Sequence, residues 1–142
     1  RPDVVFGADV IAGFPTESDL AHQASVEMIE AAGITHLHVF PYSPRSGTPA
    51  AAMPQLPLEV IKARALALRQ LGEKRLEEFL DSAIGSTDQL LVERGNRGHG
   101  RNFTKIQLDG ALYPSGRLVD VDILGRNGDS LVGRVHASGA QG

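Results

Sequence analysis

Leu37-His-Val-Phe-Pro-Tyr-Ser-Pro-Arg-Ser-Gly-Thr-Pro49 is the stretch on which the reading of this chain turns. From His36 to Phe40, Leu37 and Val39 fall on one face and His36, His38 and Phe40 on the other, the two-residue period of a strand. Pro41 then interrupts it. Neither Pro41 nor Pro44 can donate to a sheet ladder, and each biases the residue before it away from helix, so the chain leaves the sheet here as an ordered loop. Loops at strand ends are where α/β proteins keep their chemistry. Tyr42, Ser43 and Arg45, set among prolines and followed by Gly47-Thr48-Pro49, read either as a rigid platform for a ligand or as a proline-stiffened connector.

Upstream, Phe6-Gly-Ala-Asp-Val-Ile-Ala12 is an apolar segment ending at Gly13-Phe14-Pro15, the pattern of a buried strand in a parallel sheet. Thr16 with Asp19 resembles a capping box, and Glu17 and Asp19 suit the positive end of a helix dipole. Leu20, Ala24 and Met28, with Ile29 and Ala32, give the helix an apolar stripe that Gly33 is placed to close. Strand, helix and strand joined by short links predict a βαβ unit with parallel strands and a right-handed crossover.

Downstream, Pro57 suits the first turn of a longer helix from about Leu58 to Ala83. Ile61, Ala65, Leu68, Leu71, Leu76, Phe79 and Leu80 form its apolar face. Its exposed face would carry Lys62, Arg64, Arg69, Glu73, Lys74, Arg75, Glu77 and Glu78. Gly72, mid-helix, implies a bend or close packing, and Gly85 ends the helix, which places a domain boundary at Gly85-Ser86. From Gln89 the pattern changes to short strands, at Leu90–Glu93, Phe103–Leu108, Leu118–Leu124 and Ser130–Val135. Val119, Val121 and Ile123 alternate with Asp120 and Asp122 as in a half-buried strand, and Arg126-Asn127-Gly128-Asp129 signals a tight hairpin. Such strands in under about 60 residues fit a small barrel of the OB type better than a sandwich. The fold class expected is therefore α/β followed by all-β, over residues 1–85 and 86–142; the final residues, Ala137 to Gly142, look frayed.

At 142 residues the chain is long enough to bury a real core, and its net charge of −3 is unevenly divided. Residues 1–85 carry a net −4 and residues 86–142 a net +1, which makes the second part the better partner for an anion. No apolar run approaches the roughly 20 residues needed to span a bilayer. There are no cysteines, hence no thiolate for zinc or an iron–sulfur cluster.

Three features are candidates for chemistry. Asp9 interrupts an apolar strand, and a carboxylate buried there is either the structural partner of a basic group or a ligand-binding residue. His36 and His38 share a strand face and a spacing that could hold a metal, but no third ligand lies near in sequence, so a packing role is preferred and no metal site is assigned. Gly95-Asn-Arg-Gly-His-Gly-Arg-Asn102 lacks the Lys-Ser/Thr ending of a phosphate-binding P-loop. Arg94, Arg97, His99, Arg101 and Lys105, with Phe103 among them, suit a nucleic-acid backbone and a stacked base, or else form a solvated basic hairpin.

Gly7-Ala-Asp-Val-Ile-Ala-Gly-Phe-Pro-Thr-Glu17 and His38-Val-Phe-Pro-Tyr-Ser-Pro-Arg-Ser-Gly-Thr-Pro-Ala50 closely resemble late strand-and-loop segments of the radical S-adenosylmethionine methylthiotransferases. Phe-Pro-Tyr-Ser is most similar to the branch acting on threonylcarbamoyladenosine beside the tRNA anticodon. The likeness continues into a terminal segment similar to the TRAM domain, a small RNA-binding barrel, with Asn102-Phe103-Thr104 matching its glycine-rich lead into a strand.

The resemblance implies the end of a partial α/β barrel followed by a TRAM barrel, with tRNA as partner and a cytoplasmic setting without membrane attachment. It implies S-adenosylmethionine and [4Fe-4S] clusters as cofactors, the cleaved cofactor activating carbon two of an adenine before sulfur and a methyl group are installed. Asp9, Ile11, Gly13, Phe40, Pro41 and Tyr42 would border the cofactor's adenosine, while Arg45 and Tyr42 could equally meet the RNA. No residue is assigned a catalytic role. Thr16 stands where the family often has glycine. Because the family holds its clusters with cysteines of earlier domains, the chain is expected to be the carboxyl-terminal part of a longer enzyme, inactive alone and prone to self-association through residues 6–40. Alternatives are a tRNA-binding module only, or a methylthiotransferase acting on a ribosomal protein.

Overall fold

β1 (Phe6–Ala12) and β2 (Ile34–Pro41) pair in parallel in the computed structural model, which describes residues 6–136. The helix between them, α1, runs Asp19–Ala32 and ends on Gly33, whose left-handed φ of 68° suits a residue without a side chain. One sheet face, with Ala8, Val10, Ala12, Ile34, Leu37 and Val39, packs on Val26 and Ile29 of α1 and on Ala65, Leu68 and Leu71 of α2 (Leu58–Ala83). Gly72 allows the close approach expected of it, since a Cβ there would lie 3.2 Å from that of Leu37.

Three local expectations are corrected. Ser18, rather than Thr16, caps α1, its hydroxyl accepting from the Ala21 amide at 3.1 Å. Asp19 is held by Arg64, and the residue three after Ser18 is Ala21, which has no polar side chain to reach back, so no capping box forms. Of the stripe read along α1 only Ile29 is buried; Leu20 is 83% and Met28 56% exposed, and Ala24 and Ala32 are exposed too. The buried side is turned toward Val26 and Ile29 because that is where the sheet and α2 lie. Arg64, assigned above to the solvated face of α2, is buried, for reasons given below.

From Leu76 onward the chain forms a second compact unit. Its strands β3 (Thr87–Arg94), β4 (Arg97–His99), β5 (Lys105–Leu108), β6 (Leu118–Asn127) and β7 (Ser130–Val135) close into a five-stranded barrel in the order β3-β4-β5-β7-β6. Every pairing is antiparallel except β5 with β7. Leu90, Val92, Ile106, Leu108, Val119, Val121, Ile123 and Leu131 fill it, the alternation of β6 falling as its sequence predicts. Leu76, Phe79, Leu80 and Ala83 of α2 pack against this core, so the units divide between Arg75 and Leu76, earlier than Gly85-Ser86. The hairpin at Asn127-Gly128 forms, with Asn127 paired to Ser130 across two residues. β4, inside the glycine-rich stretch, is a strand that pattern reading missed.

Candidate functional site

Two places gather the residues singled out above, one in each unit. In the first, the register sets Asp9 beside His38, Ile11 beside Phe40 and Ala12 beside Pro41. Asp9, Ile11, His38 and Phe40 therefore share the sheet face opposite the helices, where Ile11 and Phe40 stay 55% and 53% exposed. Asp9 is exposed as well, which removes the expected need for a buried basic partner.

At the carboxyl ends of both strands the chain forms a corner. The Tyr42 amide donates to the Ala12 carbonyl at 2.8 Å, and the Tyr42 ring meets Phe14 edge to face at 5.4 Å. Gly13, at φ 83°, presses on α2 so tightly that a Cβ would sit 2.6 Å from Ile61 Cγ1, hence only glycine serves. Its amide donates to Glu17 Oε1 at 2.9 Å. Arg64 completes the brace, donating to the Glu17 carbonyl at 2.7 Å, to Glu17 Oε1 at 2.9 Å and to Asp19 Oδ1 at 2.7 Å. Arg64 and Glu17 side chains are 9% and 11% exposed, whereas Asp19 stands in water, so the Glu17 bond carries the weight. Burial alone would lower the Arg64 pKa, but its bonds to Glu17 and Asp19 prevail and hold it above the usual guanidinium value. Neither Arg64 nor Glu17 was nominated from sequence, because nothing in a helical pattern distinguishes an inward arginine from its solvated neighbours.

Ile11, Gly13, Phe40, Pro41 and Tyr42 thus meet at one end of the sheet, with Asp9 further in, on the open face. The Tyr42 hydroxyl is buried and makes no hydrogen bond among the described residues. Arg45 lies exposed in the loop, its carbonyl taking the Thr48 hydroxyl at 2.7 Å. His36 lies 3.0 Å from the Thr35 hydroxyl, and burial, with the neighbouring His38, lowers its pKa from the ordinary 6.5. Among the described residues no three His, Cys, Asp or Glu side chains converge as a metal site.

In the barrel, Arg94, Arg97, His99 and Lys105 line one open groove of about 770 Å³. Three of these carry partners. Arg97 Nε donates to Gln107 Oε1 at 2.8 Å, His99 Nδ1 lies 2.6 Å from Glu93 Oε2, and Lys105 donates to Asp129 at 2.9 Å. The Lys105 bond and charge hold the Asp129 carboxyl below its usual pKa. Arg101 falls outside the groove; it lines a smaller recess with Asp88, to which it donates at 3.1 Å. Phe103 lines neither and is 85% exposed.

The stretch that supplies these residues is held firmly rather than loosely. Gly95 and Asn96, at φ 58° and 61°, make the two-residue turn between Arg94 and Arg97, as the primed hairpin turns require. Gly-Asn between short strands was the available signal for this hairpin. Asn96 is 2% exposed; its side chain donates to the Ala111 carbonyl at 2.8 Å and accepts the Tyr113 amide at 2.7 Å. A Cβ on Gly98 would overlap the Leu91 carbonyl oxygen.

No protein-family model matches the chain. It is 46% identical over 125 residues to the threonylcarbamoyladenosine tRNA methylthiotransferase MtaB of Rickettsia prowazekii, covering 88% of this chain and 30% of that protein. The protein of the same name from Aquifex aeolicus is 37% identical, across 85% of this chain and 30% of its own length. The tRNA-2-methylthio-N(6)-dimethylallyladenosine synthase of Aeromonas salmonicida is 34% identical, across 94% of this chain and again 30% of its length. The chain thus spans about 30% of the length of the curated relatives it matches. Over 85–94% of its length the chain is thus similar to one part, about 30%, of the tRNA methylthiotransferases.

Proposed function

We propose that these residues serve a radical S-adenosylmethionine enzyme that methylthiolates carbon two of N6-threonylcarbamoyladenosine next to the tRNA anticodon. The observation that carries the reading is the 46% identity to the Rickettsia relative, well above the 34% to the dimethylallyladenosine-type protein of Aeromonas. In this reading the first unit is the end of a partial α/β barrel and the second a TRAM barrel of OB type that grips tRNA.

The sheet corner suits the adenosine of S-adenosylmethionine. Ile11 and Phe40, adjacent in register and half exposed, offer an apolar surface for a purine, and the Phe14–Tyr42 pair borders it. The bound cofactor would supply the radical-forming sulfonium and the transferred methyl group. Asp9, on the same face, would accept hydrogen bonds from cofactor hydroxyls. The brace from Arg64 through Glu17 to Gly13 would keep the corner preorganised before the ligand arrives. An iron–sulfur cluster does not fit this chain, which has no cysteine, so its thiolates must come from outside these residues. In the barrel, Arg94, Arg97, His99 and Lys105 would position the tRNA backbone along their groove, with Arg101 reaching it from the neighbouring recess.

The reading is tested by nucleoside mass spectrometry of tRNA from cells with and without the gene that encodes this chain. Loss of 2-methylthio-threonylcarbamoyladenosine supports it. Loss of the methylthio group from dimethylallyladenosine instead would move the substrate to the second kind of relative, and unaltered tRNA would overturn the reading.

A further inference from the structure

Resting on the reading of the barrel as an RNA-binding unit, we infer that Phe103 is a platform for one unpaired nucleobase, so that the barrel prefers single-stranded or extruded nucleotides to paired ones. The ring is 85% exposed, in a barrel whose other described aromatic side chains, Phe79 and Tyr113, pack against the core. Its backbone is costly as well as exposed. Asn102 and Phe103 stand consecutively at φ 30° and 57°, a region that side chains bearing a Cβ rarely occupy. Outliers of this kind persist only where the surroundings impose them, and they concentrate at ligand contacts.

The surroundings do impose this one. The Gly100 amide donates to the Thr104 carbonyl at 2.8 Å and closes the turn; Thr104 is buried. Asp88 Oδ1 accepts both the Arg101 amide and Arg101 Nε at 3.1 Å. Gly100 fits closely, since a Cβ there would lie 2.5 Å from Asp88 Oδ2 and 2.7 Å from Ile106 Cδ1 and would push both side-chain ends aside. A turn bolted on both sides therefore holds an aromatic face in water, where it contributes nothing to the barrel's own packing. Arg101, just before it, lines the smaller recess, and Lys105, just after it, lines the larger groove. A base stacked on the ring would have a cation available for the phosphate on either side. That is the arrangement single strands use, and a base inside a duplex cannot offer its face to it.

The test compares the 142-residue chain with its Phe103→Ala, Phe103→Tyr and Phe103→Gly variants, by fluorescence anisotropy against a 12-nucleotide single-stranded RNA and the same sequence as a perfect duplex. Phe103→Ala should weaken single-strand binding about 5- to 150-fold, the range for one stacked base, without changing its salt slope. Phe103→Tyr should retain affinity, and duplex binding should hold within about twofold in every variant, the free-energy equivalent of a rim contact. Phe103→Gly should melt at or above the wild-type temperature, because it relieves the backbone. Single-strand binding that survives Phe103→Ala but falls with Arg97→Ala overturns the inference and leaves the RNA reading standing, as does an equal loss on duplex and single strand. A Phe103→Gly chain that melts lower makes the ring structural and also overturns it. Wild-type chain that binds neither RNA overturns the RNA reading and the inference together.

Discussion

The two units solve the same problem, a sheet with two faces and two edges, in opposite ways. The barrel closes on itself, so every strand has two partners and one side of its strands fills the core, while Leu91, Leu118 and Leu124 stay about half exposed on the outside. The βαβ unit covers one face of its two-stranded sheet and leaves Phe6, Ile11 and Phe40 half exposed, with Met28 of α1 about as exposed and Leu20 more so. Closure accounts for the barrel's core but not for the exposed Phe103 ring. The open unit keeps Ile11 and Phe40 in water on the sheet face that its helices do not cover.

That contrast can be broken most sharply at matched leucines. Leu90→Ala, in the barrel core, should cost about 2–5 kcal/mol in denaturant melts, whereas Leu20→Ala, on the exposed face of α1, should change stability by less than about 0.5 kcal/mol. Equal costs would mean that the two units are not differently packed. The open face should next show itself through association. Residues 6–40 are proposed to draw copies of the chain together, so light scattering should detect oligomers that Phe40→Glu with Leu20→Glu disperses. A monomer at high concentration would remove the proposal.

A smaller effect is expected at the brace. Arg64→Met leaves the Glu17 carboxylate with only the Gly13 amide, and should lower the stability of the first unit by about 2 kcal/mol while hydrogen exchange in the barrel is unaltered. The smallest effect separates the units by acid. His36 has a folded-state pKa below its ordinary 6.5, so its contribution is complete above that value and is lost as pH falls from there toward the lowered pKa. The depressed carboxyl of Asp129 gives the barrel a contribution that persists to lower pH, present above its ordinary 3.8 and lost as pH falls through the lower folded value. Hydrogen exchange between pH 7 and 5 should therefore loosen the first unit before the second, and His36→Gln should flatten that dependence.

What could be read beforehand follows the same division. Period-two alternation in β2 and β6 and the apolar face of α2 were legible because burial on one side leaves its mark residue by residue, whereas β1, read as a buried strand, keeps one face exposed. α1 misled because its partners touch a different stripe from the most hydrophobic one, leaving Leu20 and Met28 outside. β4 was hidden for another reason. At three residues it is too short to show a period, and Gly98 within it, demanded by the Leu91 carbonyl, with Gly100 just past its end, imitates a loop. Of the site residues, those bearing positive charge near glycine were legible and largely converge on one groove. The partners that position them, Arg64 with Glu17 and Asp129 with Lys105, depend on contacts distant in sequence, which no local pattern encodes.

Asp129 is paired with Lys105 and Glu93 with His99, so carboxylates already stand against basic side chains of the groove. An incoming phosphate would replace a carboxylate that the protein already holds, and so would liberate fewer dissolved ions than the number of basic groups suggests. Affinity for a polyanion along this groove should accordingly fall less steeply with added salt than the approximately 0.9 ions per neutralised phosphate seen on duplex DNA with unmasked surfaces. Glu93→Gln with Asp129→Asn would then steepen the dependence while tightening the complex at low ionic strength.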